Sequence, residues 1–169
     1  MAIQIRPLQK NDDRSTFRSG QRDLDTFFHQ FAGQNQFRHH IGVTYIATDE
    51  EKIYGYATVA PGNIEKAELP EGSQLPPHYP LPILRLGRLA VDQRYHGQGI
   101  GKLLLRYVLQ LALQQKEQLG CVGIIVDAKL EAISFYQKYG FQVLDKPIEG
   151  ERIGYPSPTS MFLSIKSIL

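Results

Sequence analysis

The sequence predicts an α/β protein, a mixed central sheet with helices on both faces, and three observations carry that reading. Two apolar runs, Leu84 to Val91 and Val122 to Val126, the second rich in β-branched residues, read as strands. Between them an amphipathic segment opens at Ile100 and is stopped by Gly120, with apolar positions 100, 104, 108 and 111 at helical spacing. The third is the junction of the first run with that segment, Arg94-Tyr95-His96-Gly97-Gln98-Gly99-Ile100-Gly101-Lys102. A strand, a turn rich in glycine and a helix suit an anion. Glycine lets the backbone come close and aim N–H groups outward, and the helix N-terminus favours negative charge.

The remaining elements follow in chain order. Ala2 to Leu8 alternates Ile3, Ile5 and Pro7 with polar neighbours and reads as a first strand. Asp23 is placed to cap a helix whose Leu24, Phe27, Phe28 and Phe31 share an apolar face. A hairpin is predicted from Val43–Thr48 and Ile53–Val59 around the polar turn Asp49-Glu50-Glu51. Residues 60–82 hold prolines at 61, 70, 76, 77, 80 and 82, which argues against a central strand or helix and for a semi-rigid loop or lid. After the long helix, which reaches about Leu119, and the fifth strand come a short helix closed by Gly140 and a strand Phe141–Leu144. A loop with Pro147, Pro156 and Pro158 leads to a last strand, Ser160–Ile165. There are no internal repeats and no low-complexity tracts.

Composition bounds the function. A chain of 169 residues is expected to be one domain, 1–169, large enough to bury a real core. A net charge of +2 permits an anionic partner without demanding one. One cysteine, Cys121, excludes an intrachain disulfide framework and fits a reducing compartment. No apolar run reaches the length of a membrane span and no secretion signal opens the chain, so a cytoplasmic protein with no membrane partner is expected.

The glycine turn can be narrowed by elimination. A dinucleotide fingerprint requires a third glycine where Lys102 stands. A Walker loop requires glycine at His96 and a hydroxyl residue at Leu103. The pattern that remains is [RQ]-x-x-G-x-G, filled by Arg94, Gly97 and Gly99. It resembles the acetyl-coenzyme A pyrophosphate loop of the GNAT superfamily of N-acetyltransferases. Leu86-Gly87-Arg88-Leu89-Ala90-Val91-Asp92 looks like that family's fourth strand, and Ala132-Ile133-Ser134-Phe135-Tyr136-Gln137-Lys138-Tyr139-Gly140-Phe141 is similar to its A-x-x-F-Y-x-x-x-G-F signature.

The resemblance implies a sheet splayed between strands 4 and 5, with the reacting centre in the gap. It implies acetyl-CoA as co-substrate and no metal. The phosphates would be held by the backbone of Gly97, Gln98, Gly99, Ile100, Gly101 and Lys102, helped by the charges of Arg94 and Lys102. The pantetheine arm would pair with Leu89, Ala90 and Val91, a backbone N–H near Leu89 would polarise the thioester carbonyl, and Tyr136 would protonate the departing thiolate. The residues alone also allow Tyr136 to be an ordinary core aromatic. No general base declares itself: Asp127 could serve or could cap the next helix, and His39, His40 and His96 could titrate near neutrality. An acceptor amine that is already partly neutral, as an α-amine is, removes the need for a strong base. One departure from the family pattern is Lys129, where many members carry an Asn that touches the cofactor. Nothing around Cys121 activates a thiolate, and it reads as packing.

The N-terminal half adds a second likeness. Phe17 to Phe28, then Ala32, Gln34-Asn35-Gln36, Thr44-Tyr45-Ile46-Ala47 and Gly55-Tyr56-Ala57, with Leu86 to Asp92 and Met161-Phe162-Leu163, resemble the toxin branch of GNAT proteins. Members of that branch acetylate the α-amine of aminoacyl-tRNA and are encoded with a ribbon-helix-helix antitoxin. The resemblance therefore implies those two partners. Arg14, Arg18, Arg22, Arg38, Arg85 and Arg88 are the cations that could meet tRNA phosphates, although scattered arginines are also ordinary surface. Two other readings stay open, a small-molecule or protein N-acetyltransferase and a non-catalytic protein that binds acetyl-CoA or a partner, and so does a homodimer.

Overall fold

The structure, a computed structural model, describes residues 2–70, 72–144 and 158–168. Its strands are β1 (Gln4–Pro7), β2 (Val43–Thr48), β3 (Ile53–Ile64), β4 (Leu81–Val91), β5 (Gly123–Ala128), β6 (Gln142–Val143) and β7 (Thr159–Ser164). Its helices are α1 (Arg22–Thr26), α2 (Ala32–Phe37), α3 (Ile100–Gln118) and α4 (Ile133–Lys138). The strands form one mixed sheet in the order β1-β2-β3-β4-β5-β7-β6. β4 and β5 run parallel, whereas β1–β2, β2–β3, β5–β7 and β6–β7 are antiparallel. The chain divides into two compact units, residues 1–60 with 86–110 and residues 61–85 with 111–169.

In the first unit the hairpin forms as expected, Val43 opposite Val59 and Ile46 opposite Tyr56. Its turn is set by Asp49, whose carboxylate accepts from the N–H groups of Glu51 and Lys52 and from the Tyr54 hydroxyl. The core here is aromatic. Phe28 stacks on Tyr56 at 4.5 Å between centroids, Phe17 meets both edge-on, and the buried Tyr56 hydroxyl donates to the Leu24 carbonyl at 2.8 Å.

The helix that carries these phenylalanines differs from expectation in a way that has a cause. It starts at Arg22 after Gln21, so Asp23 lies in the first turn rather than at the cap. Residues Phe27–Phe31 then form a π-helical turn, closed by the Ala32 N–H reaching back five residues to the Phe27 carbonyl. One extra residue in a turn shifts the inward face by one position. Ala32 is therefore buried and Phe31, predicted on the apolar face, is 42% exposed.

In the second unit the proline argument needs correction. β3 continues through Pro61 to Ile64 and β4 starts at Leu81 and contains Pro82, so the loop is shorter than residues 60–82. Proline lacks only the donor: the Pro82 carbonyl still accepts from the Val122 N–H at 2.8 Å. Ile64, Leu69, Leu81 and Ile83 pack with Ile125, Leu144 and Phe162 into a second core cluster, which anchors both ends of the loop. β5 runs two residues past the predicted Val126 and pairs along its length with β7. The strand expected over Phe141–Leu144 shrinks to Gln142–Val143, and Pro147 and Pro156 lie outside the described residues. No helix among the described residues is long and apolar enough to cross a membrane.

Candidate active site

The first unit assembles the residues expected to hold the cofactor. β4 ends at Val91, Gln93–Tyr95 make one 3-10 turn, and α3 begins at Ile100. Gly97 and Gly99 have φ of +79° and +80°, the left-handed region that L side chains resist. A Cβ built on either would find no atom within 4 Å. The glycines therefore serve the backbone path and leave the space over the turn clear, which is the cradle a phosphate group requires. Leu103 N–H bonds to the Gly99 carbonyl at 3.1 Å, so the amides of Ile100, Gly101 and Lys102 precede the carbonyls that α3 can offer them. Gly101 belongs to the helix rather than to the turn. Gln98, Gly99 and Lys102 are exposed, and Ile100 is buried and anchors the helix start.

Asp92, which sequence reasoning quoted only as part of a motif, organises this turn. Its carboxylate is fully buried and accepts from the Arg94 N–H at 3.0 Å, from Arg94 Nε at 3.0 Å, from Arg94 Nη2 at 2.9 Å and from the Arg18 N–H at 3.1 Å. Burial opposes the charge, but these hydrogen bonds outweigh it and hold the carboxyl below the usual carboxylate range. Arg94 is thus committed to Asp92 with its guanidinium still half exposed, and Lys102 is the cation at the turn without an ion-pair partner among the described residues. His96 donates from Nε2 to the Val91 carbonyl at 2.9 Å, tying the turn to the strand end. The signal in the sequence was Asp92 two residues before Arg94, the spacing of a carboxylate that caps a turn.

β4 is an interior strand, yet around the residues expected to meet the pantetheine arm it is open. Gly87, Leu89 and Val91 are half-buried, Arg88 is exposed and Ala90 is buried. That exposure leaves the stretch accessible to a ligand.

The second unit carries Tyr136. It lies on α4, 4% exposed, edge-on to Phe135 at 5.1 Å and to Phe141 at 5.4 Å. Burial pushes its phenol well above the ordinary value and the Asp127 charge acts in the same direction, so the group stays protonated. Asp127 itself takes Arg85 Nη1 on both carboxylate oxygens, at 3.0 and 2.9 Å. It does not cap the following helical turn, whose cap position is Lys129. Cys121 is buried, and desolvation raises its thiol, in keeping with a packing role. His39 and His40 are exposed on the chain after α2.

The comparisons with known proteins agree with this geometry. The profile of the Acetyltransferase (GNAT) domain matches residues 40–143. The chain belongs to the GNAT acetyltransferase family. It is 28% identical over 139 residues to a tRNA-acetylating toxin of Mycobacterium tuberculosis, covering 82% of this chain and 83% of the relative. Among solved structures it is similar to AtaT complexed with acetyl-methionyl-tRNAfMet, with a TM-score of 0.82 at 28% identity over 98% of this chain and 96% of that one. It is also similar to a tyrosine-to-phenylalanine mutant of AtaT bound to the C-terminus of the antitoxin AtaR and acetyl-CoA, with a TM-score of 0.76 at 25% identity over 99% and 96% of the two chains.

Proposed function

We propose that this GNAT protein is a translation-blocking toxin that transfers acetyl from acetyl-CoA to the α-amine of aminoacyl-tRNA, acting as one domain over residues 1–169. The observation that carries the cofactor assignment is the turn at Gly97 and Gly99, with left-handed backbone and clear space where side chains would be. The acceptor assignment rests on the likeness to tRNA-acetylating toxins over most of the chain. The likeness to an antitoxin complex supports an antitoxin partner, which the sequence resemblance leads us to expect as a ribbon-helix-helix protein.

Acetyl-CoA, when bound, supplies the acetyl group as a thioester. The amides of residues 97–102 bind its diphosphate, with Lys102 adding charge and Arg94 holding the turn through Asp92. Backbone groups of Leu89 to Val91 align the arm, and the Leu89 N–H takes the charge that develops on the carbonyl oxygen. Tyr136, kept protonated by burial, gives its proton to the departing sulfur. Among the described residues neither Asp127 nor His96 is a free base: Asp127 is bound to Arg85 and His96 is spent on the Val91 carbonyl. An α-amine esterified at its carbonyl is partly neutral at physiological pH, so that lack is no obstacle.

The test is transfer of radiolabelled acetyl from acetyl-CoA to charged tRNA, with uncharged tRNA, peptides and polyamines as competing acceptors. Label confined to charged tRNA is expected. Label on a peptide or small amine would move the chain to the ordinary N-acetyltransferases, and binding without transfer would leave a non-catalytic protein.

A further inference from the structure

The arginines that could meet RNA differ in what they already hold. Arg85 is bound by Asp127, and Arg6, near the N-terminus, by Asp12 and Glu50. Arg14 donates to the Phe28 carbonyl, and Arg18 donates to the carbonyls of Ser15 and Phe17. These guanidiniums are engaged in holding the chain. Arg88 is different. It is exposed on β4, has no carboxylate or carbonyl partner among the described residues, and sits with its guanidinium carbon 3.8 Å from the centroid of the Phe27 ring. A ring at that distance can hold a guanidinium while its N–H groups remain available, an arrangement suited to a planar pair of phosphate oxygens.

The local structure is built to keep Arg88 there. Phe27 opens the π-helical turn and packs against Tyr56, with its own side chain buried, so the platform under Arg88 is held by the core. Period two along β4 separates the Arg88 side chain from those of Leu89 and Val91, and a Cβ built on Gly87 before it would meet only the Thr58 carbonyl, at 3.9 Å. An unpaired guanidinium held by an aromatic face, next in sequence to the strand residue assigned to the thioester carbonyl, is placed for the acceptor rather than for the cofactor.

We infer that Arg88, stacked on Phe27, is the receptor for a backbone phosphate near the 3′ end of the acceptor RNA. This rests on the aminoacyl-tRNA reading and adds the residue that engages the RNA itself. Arg88 is a binding residue in this account, with no part in proton transfer.

The experiment measures tRNA binding by the full chain, without acetyl-CoA, across a salt series for wild type, R88Q and R88K, with melting curves to confirm folding. R88Q is expected to bind roughly tenfold or more weakly, on the scale of a lost charge-assisted hydrogen bond. Its slope of log affinity against log salt should be shallower by about 0.7, one phosphate contact on a single strand. R88K, which keeps the charge without the planar fork, should recover the slope but not the full affinity. In turnover, R88Q should lose more kcat/KM on charged tRNA than on an amino-acid ester that has no phosphate. An unchanged slope, equal losses on the two acceptors, or a raised KM for acetyl-CoA alone would overturn the inference. Wild type that neither binds nor acetylates charged tRNA would instead overturn the reading beneath it.

Discussion

At the scale of single residues the account rests on protonation and burial. Tyr136 is held protonated by its apolar surroundings, which suits a donor and excludes a base at neutral pH. Tyr136→Phe is expected to leave acetyl-CoA affinity nearly intact while cutting turnover by roughly 10²-fold or more, the scale of a lost acid catalyst. Turnover equal to wild type would remove Tyr136 from the chemistry. Asp92 gives a stability prediction. Its carboxyl is depressed in the folded state, so its contribution is present above the unfolded value and is lost as pH falls through the folded one. Urea midpoints should fall below about pH 4, and Asp92→Asn should flatten that fall. Asp92→Ala should cost roughly 2–3 kcal/mol at neutral pH, because it strands two backbone N–H donors and the Arg94 guanidinium. Midpoints in the two variants identical to wild type would mean that Asp92 does not hold the turn. Arg94 was readable from the sequence as a cation at the turn. Its commitment to Asp92 was not, since which carboxylate takes a guanidinium is decided by burial.

At the scale of elements, the turn between β4 and α3 was legible because its requirements are local: a strand, left-handed positions and a helix start, each with a residue-type signal. Gly99→Glu should abolish acetyl-CoA binding, measured by calorimetry, because it puts bulk and negative charge into the cleared space. Its melting temperature should fall by only roughly 2–8 °C, the cost of a left-handed L residue. Normal binding by that variant would sink the loop assignment. The π-helical turn was not legible. Phe27, Phe28 and Phe31 fit an α-helix, and the wider turn, which buries Ala32 instead of Phe31 while Phe28 stacks on Tyr56, answers to tertiary packing that periodicity does not encode. The prolines misled for a similar reason. Pro61 and Pro82 were read as strand breakers, but a strand position that needs only its carbonyl accepts proline.

At the scale of the whole molecule, order and spacing of motifs sufficed for the family, because the glycine turn and the Phe135-Tyr136 segment are separated by one long helix and one strand in a fixed sequence. The acceptor is a different kind of question. It depends on what meets an open stretch of β4, and neither charge balance nor periodicity specifies that. A net charge of +2 hides the distinction between arginines bound within the protein and one held free on an aromatic face. The measurement that tests the central claim most directly is identification of the product. Purified protein is incubated with acetyl-CoA and charged tRNA, the RNA is digested with nuclease, and the aminoacyl-adenosine is examined by mass spectrometry. The account predicts an acetyl group on the α-amine of the aminoacyl moiety, formed by wild type and nearly absent with Tyr136→Phe. Unmodified aminoacyl-adenosine, while the same protein acetylates a peptide or small amine, would contradict it.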